Sequence, residues 1–162
     1  MRRLIIALLA MFAATGAIAA DWQYEDAGIP IAYVDNGGAQ LQFACRGGDL
    51  TLGFWVRAPH RTVATAASMN LAILPDPASG AKISSAAGAS FAQNMPLIHS
   101  DGSSMIIRGP VARAWAHIAQ RARSTLRVAY IRKHGEMEIF DPNDFPATGS
   151  AAAIKQVLAR CG

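Results

Sequence analysis

Leu41-Gln42-Phe43-Ala44-Cys45-Arg46-Gly47-Gly48-Asp49-Leu50-Thr51-Leu52-Gly53-Phe54-Trp55-Val56 is the stretch that decides the fold. Leu41, Phe43 and Cys45 alternate with Gln40, Gln42 and Ala44, and beyond the turn Arg46-Gly47-Gly48-Asp49 the alternation resumes as Leu50, Leu52, Phe54 and Val56. Successive side chains of a strand point to opposite faces, so a period of two marks a half-buried hairpin. Pairing across the four-residue loop sets Cys45 opposite Leu50, Phe43 opposite Leu52 and Leu41 opposite Phe54. All six side chains then share one face, and Cys45 points into the core.

The other cysteine of the chain, Cys161, closes a helical pattern. Ile154, Val157, Leu158 and Cys161 recur at the spacing of one helix face, with Ser150 the expected N-cap and Lys155 and Arg160 elsewhere on the helix. Two cysteines on the apolar faces of two elements predict one bridge, Cys45–Cys161, in an oxidising compartment; two free thiols or an intermolecular bridge are the alternatives.

Between these ends, residues 66–74 alternate Met69, Leu71 and Ile73 as a strand that stops at Pro75-Asp76-Pro77. Residues 78–94 are small and polar and predict a loop or weak edge strand. A short strand is expected at 105–108. Gly109-Pro110 then opens a helix with Val111, Trp115, Ile118, Ala119 and Ala122 on one face and Arg113, His117, Gln120 and Arg121 on the other. Strand character returns at 124–131, turns at Lys133-His134-Gly135-Glu136, continues over 137–140 and gives way to a loop at 141–146. The fold class is α+β: an antiparallel curled sheet or sandwich-like β core with one late helix and a C-terminal helix tied to the sheet by a disulfide.

The N-terminus has the three parts of a secretory signal peptide: Arg2 and Arg3, an apolar run over 4–14, and the small-residue stretch Thr15-Gly16-Ala17-Ile18-Ala19-Ala20. The run falls short of the roughly 20 residues needed to span a bilayer. Cleavage is expected near Ala19 or Ala20, leaving a single periplasmic domain over residues 21–162, with no transmembrane anchor. Of 15 basic residues Arg2 and Arg3 depart with the signal, so 13 remain against 11 acidic ones. That balance implies no nucleic-acid partner.

Chemical motifs are sparse. His60, His99, His117 and His134 have no second ligand at short spacing, so no metal is expected. No Gly-x-Ser-x-Gly elbow occurs; Gly88-Ala89-Ser90-Phe91-Ala92 lacks the closing glycine. Glu136 and Glu138 share a strand face as a solvated pair rather than an acid/base pair, and Gly47-Gly48 is turn chemistry without a phosphate-binding motif. Neither a catalytic residue nor a cofactor is expected. Trp22, Tyr24 and Tyr33 fit an edge strand packing on the core, with an exposed aromatic strip as the alternative.

Charge placement is the unusual feature. Arg108, Arg113, Arg121, Arg123, Arg127, Arg132 and Lys133 occur in a stretch without an acid. Arg113, Arg121 and Arg123 form the candidate binding surface, for an acidic protein or an anionic envelope surface. A solvated face balanced in space by acids from elsewhere is the competing expectation.

The early Trp22, the strand Leu41-Gln42-Phe43-Ala44-Cys45, the return Gly47-Gly48-Asp49-Leu50-Thr51-Leu52 and the ending Gly149-Ser150-Ala151-Ala152-Ala153-Ile154-Lys155-Gln156-Val157-Leu158-Ala159-Arg160-Cys161-Gly162 resemble a family of small uncharacterised periplasmic proteins of Gram-negative bacteria. More distantly they resemble the invasion-associated locus B proteins. The resemblance implies location and architecture and carries no catalytic residue. The mid-chain cysteines of the invasion-associated group are absent, so its role in host-cell invasion is not implied. The expected function is that of an exported non-enzymatic interaction or accessory protein. Its alternatives are an inhibitor or immunity-type protein that blocks another protein's active site, and a cell-envelope hydrolase.

Overall fold

Among the described residues nine strands and three helices follow one another along the chain. The computed structural model describes residues 21–83 and 86–161, so the signal peptide expected over 1–20 lies outside the described residues. The strands are β1 (Gln23–Asp26), β2 (Pro30–Asp35), β3 (Ala39–Arg46), β4 (Asp49–Val56), β5 (Ser68–Pro75), β6 (Ser90–His99), β7 (Ser103–Arg108), β8 (Thr125–His134) and β9 (Glu136–Pro146). The helices are α1 (Arg61–Ala64), α2 (Gly109–Arg121) and α3 (Ser150–Arg160). All strand pairs are antiparallel, in the order β1-β2-β3-β4-β7-β6-β5-β8-β9.

The hairpin β3–β4 has the expected register, with Cys45 opposite Leu50, Phe43 opposite Leu52 and Leu41 opposite Phe54. Its strands run one residue further into the turn on each side, leaving Gly47 and Gly48 at φ +62° and +87°. Two successive left-handed residues suit a two-residue loop whose twist matches that of the strands, and glycine adopts them without a Cβ clash.

The sheet curls into a half-barrel around the faces of β3, β4 and β7 that carry Leu41, Phe43, Leu52, Phe54, Met105 and Ile107. These six side chains are at most 2 % exposed, and they share one cluster with Trp115 of α2 and Ile154 and Val157 of α3. Phe54 touches Tyr130 of β8 and Phe145 of β9 at ring-centroid distances of 5.1 and 6.3 Å, contacts across the concave side that a flat sheet would not allow. The sheet edges are tied near that side as well. Trp22 donates its backbone N–H to Thr148 (3.2 Å) and its indole N–H to Pro146 (2.9 Å), and the Asn36 amide donates to Asn143 and Asp144. The disulfide between Cys45 and Cys161 joins the end of α3 to β3.

Four local expectations are corrected. The segment assigned to a loop or weak edge becomes β6 from Ser90 onward, an interior strand. It pairs with β5 from Ser90 to Pro96 and with β7 from Leu97 to His99, so ladder bonds to two partners hold a stretch whose own pattern is weak. The expected loop at 141–146 is the second half of β9, interrupted by a bulge where Asp141 takes φ +48° and the register against β8 shifts. Asp141 and Pro142 look like a chain break because a bulge uses the same residues as a turn.

The buried face of α2 is Ala112, Trp115, Ala116 and Ala119, while Val111 is 40 % exposed. The helix is wedged between α3 and strands β4, β5 and β7, where alanines permit close approach, so the larger residue stays outside. Ser150 is the first residue of α3 rather than its cap. Gly149 is the cap at φ +83°, packed against Trp22, and the buried Ser150 hydroxyl donates to the Ala119 carbonyl of α2 at 2.9 Å.

Candidate functional site

The basic stretch divides in space. Arg127 grips Asp144 at two points, 2.7 and 2.8 Å, and donates to the Ala81 carbonyl. Arg132 pairs with Glu138 at 2.7 Å and stands over the Phe140 ring. Both are held on the β8–β9 ladder, where Arg127 faces Asp144 and Arg132 faces Glu138 in register. The three candidate arginines differ. Arg113, Arg121 and Arg123 are exposed, and among the described residues no carboxylate stands within ion-pair distance of them. Arg113 donates to the Cys161 carbonyl at 3.0 Å, so it braces the end of α3 as well as facing solvent.

Arg123 contributes its backbone rather than its charge to the nearest acid. Asp76 accepts the N–H groups of Arg123, Ser124 and Thr125 and the Ser124 hydroxyl. Burial raises the Asp76 carboxyl, but these donors outweigh it and hold the group at about 2. The aspartate after β5 thus fastens the start of β8.

His60, His99 and His117 and the serines Ser90 and Ser103 serve packing and turns. His60 accepts from the Thr62 N–H at the start of α1. The His117 ring lies 3.0 Å from the Gln120 amide oxygen. Among the described residues only His99 meets a serine: its Nδ1 is 2.9 Å from Ser103 Oγ, and its Nε2 donates to the Ala66 carbonyl at 2.9 Å. The pair has the composition of a nucleophile and its base, but Ser103 has no exposed surface, and a substrate carbonyl cannot reach its hydroxyl. Ser103 and His99 face one another across the β6–β7 ladder and latch that hairpin. Ser90 accepts the Trp115 indole N–H at 2.8 Å. Among the described residues no group of three or more His, Cys, Asp or Glu side chains could hold a metal.

A different surface carries the features of a binding site. The convex face of β2, β3, β4 and β7 points away from the core that holds α2 and α3, and it displays the residues that alternate with that core. On it a cavity of about 260 Å³ lies over Gly53, walled by Gln40, Gln42, Trp55, Asp101, Ser104 and Ile106. A second hollow of about 140 Å³ shares Gln42, Gly53 and Ile106 and runs on to Ile31 and Arg108. The Gln42 side chain lies across Gly53, where an added Cβ would come to 3.0 Å from its amide nitrogen.

Trp55 stands at the edge of the cavity. The Arg57 guanidinium lies 4.5 Å over its ring and is bound in turn to the Asp35 carboxylate. That pair first, against burial, holds the Asp35 carboxyl below its usual range. The Trp55 indole N–H is buried beside Gly102 with no hydrogen-bond partner, the one such side-chain atom among the described residues. An unpaired buried donor costs on the order of 1–3 kcal/mol.

Motif-based reading passed over this surface, because glutamine, glycine and tryptophan form no signature. The legible signal was a tryptophan on the polar side of an amphipathic hairpin, where solvent-facing residues are ordinarily small or charged. Trp22 and Tyr24, by contrast, follow the edge-strand expectation: Trp22 is 6 % exposed and stacks on Phe43. Comparison of the chain with protein-family models, curated proteins and solved structures finds no match.

Proposed function

We propose that the protein is an exported, non-enzymatic interaction or accessory protein of the bacterial periplasm that binds through the convex face of its sheet. The carrying observation is the cavity on that face, where the Gln40 and Gln42 amides, the Asp101 carboxylate and the Ser104 hydroxyl meet beside Trp55. A hollow that gathers a few polar groups beside an aromatic residue has the makeup of a binding site. Three further features support the reading. A disulfide suits an oxidising compartment. No helix of the described residues is long and apolar enough to cross a membrane. The Ser103 hydroxyl of the serine–histidine contact is buried.

The test is retention of an envelope component from a Gram-negative extract on the immobilised protein, compared with its Trp55→Ala and Gln42→Ala variants. Retention by the wild type and its loss in both variants is expected. If nothing is retained, and turnover of a peptidoglycan or ester substrate disappears with Ser103→Ala or His99→Ala, the binding reading is wrong and the hydrolase stands in its place.

A further inference from the structure

We infer that the Trp55 cavity is a saccharide site, which takes one pyranose ring of a neutral envelope glycan. The inference rests on the binding reading above and names the ligand class of that same surface.

The argument is one of matched chemistry. Gln40 and Gln42 lie two residues apart on one strand, so both side chains emerge on the same face. Each amide carries a donor end and an acceptor end, and so does each hydroxyl of a sugar. Neighbouring amides can therefore pair with neighbouring hydroxyls without leaving a donor facing a donor. Asp101 adds an acceptor for hydroxyl protons, and Ser104 adds a group that both donates and accepts.

The apolar part fits as well. A pyranose has a flat side lined by C–H groups, and it needs a flat apolar surface beneath. Trp55 and Ile106 supply the apolar part of the wall, the latter 37 % exposed and directly opposite Gly53 in the ladder. The cavity of about 260 Å³ is large enough for one sugar ring and is open on the solvent side.

Charge selects against other ligands. The cavity wall contributes one carboxylate and no cation, because Arg57 is turned onto the indole and bound to Asp35. A phosphate or carboxylate ligand would meet the Asp101 carboxylate, while Arg57, the cation that feels the Asp101 charge, is already bound to Asp35, and like-charge juxtaposition disfavours such a ligand. A neutral polyol meets donors and acceptors alone.

The experiment follows the Trp55 indole N–H resonance of the ¹⁵N-labelled domain as N,N′-diacetylchitobiose and maltose are added, with glucose 6-phosphate and a neutral dipeptide as controls. Trp55→Phe assigns the resonance. A saturating shift in the millimolar range with a neutral disaccharide, smaller or absent with the controls, is expected. Gln42→Ala should weaken that binding about tenfold, the loss of one hydrogen-bonded pair, while the melting temperature holds. The inference is overturned if no saccharide moves the resonance, or if the shift is unaltered in Gln42→Ala. When an envelope component is still retained through Trp55 in that event, the saccharide assignment falls and the binding reading survives. When nothing is retained either, both fall.

Discussion

The Cα atoms of Cys45 and Cys161 lie 5.5 Å apart although 116 residues separate them in the chain. Cys45 is the last inward-facing residue of β3 and Cys161 caps α3, so their bond closes nearly the whole described chain into one loop. Closing a loop that long stabilises by about 4–5 kcal/mol in the chain-entropy view, an upper figure because residual structure in the unfolded chain subtracts from it. The double variant Cys45→Ser/Cys161→Ser should therefore show a clearly lower denaturation midpoint than the oxidised protein. Non-reducing peptide mapping should recover the two cysteine peptides linked. An unchanged midpoint would show that α3 is held by packing alone.

Acid should act on the β5–β8 junction early. The Asp76 carboxyl sits at about 2 in the fold, against about 3.9 for an unperturbed aspartate. A group depressed in this way stabilises the folded state fully above its unfolded value, and the contribution is lost as pH falls from about 4 toward 2. Asp76→Asn keeps the shape of the side chain but loses the charge and half of its acceptor capacity. It should destabilise at neutral pH by about 1 kcal/mol, as the loss of a helix cap does, and flatten the pH dependence of the midpoint across that window. Equal acid sensitivity in wild type and variant would remove Asp76 as the cause.

How far the sequence carried depended on whether a segment is governed by its own pattern or by its neighbours. The β3–β4 hairpin and the Cys45–Cys161 pairing were legible residue by residue because strict alternation fixes side-chain direction. β6 was not, because Gln93 and Asn94 face solvent and the strand exists through its ladders with β5 and β7. The second half of β9 was hidden for a related reason, since Asp141 and Pro142 build a bulge with turn residues. Helix α2 was placed correctly along the chain, with Trp115, Ile118, Ala119 and Ala122 toward the core as expected, but Val111 points out and Ala112 and Ala116 point in, because small residues mark its closest contacts. Arg127 and Arg132 could not be separated from Arg121 and Arg123 without knowing that β9 delivers Asp144 and Glu138 opposite them.

Two tryptophans should answer mutation in opposite ways. Trp115 is fully buried and its N–H is satisfied by Ser90, so Trp115→Ala should cost about 3–5 kcal/mol and Trp115→Phe should still be destabilising. Trp55 is half-buried and its N–H is unsatisfied, so Trp55→Phe removes an unpaired donor and should leave the midpoint level or slightly higher. Chemical denaturation of the three variants checks the contrast. A large loss in Trp55→Phe would mean that the indole N–H has a partner in solution.

Export has a direct test. Protein recovered from a periplasmic extract should have a mature N-terminus at Ala20 or Asp21 by intact mass. Recovery of residues 1–20 in a membrane fraction would contradict cleavage.

The candidate arginine surface is separable from the ladder arginines by charge reversal. Arg127 has a two-point pair with Asp144 and a bond to the Ala81 carbonyl, so Arg127→Glu sets two carboxylates face to face across β8 and β9 and should lower stability by about 1 kcal/mol, since like charges directly opposite on paired strands are destabilising. Arg121 and Arg123 have no carboxylate within ion-pair distance among the described residues, and Arg123 meets Asp76 through its backbone N–H. Reversing both should change stability by no more than about 0.5 kcal/mol, the usual range for exposed positions. Arg113 is a mixed case, because its reversal also removes the bond to the Cys161 carbonyl. If this surface meets an acidic protein or an anionic envelope surface, Arg121→Glu/Arg123→Glu weakens the association without moving the melting temperature. The wild-type association should also fade as salt shortens the screening length to about 8 Å at physiological ionic strength and further above it. Association that is indifferent to both the double reversal and salt would assign these arginines to solvation and leave the convex face as the surface to pursue.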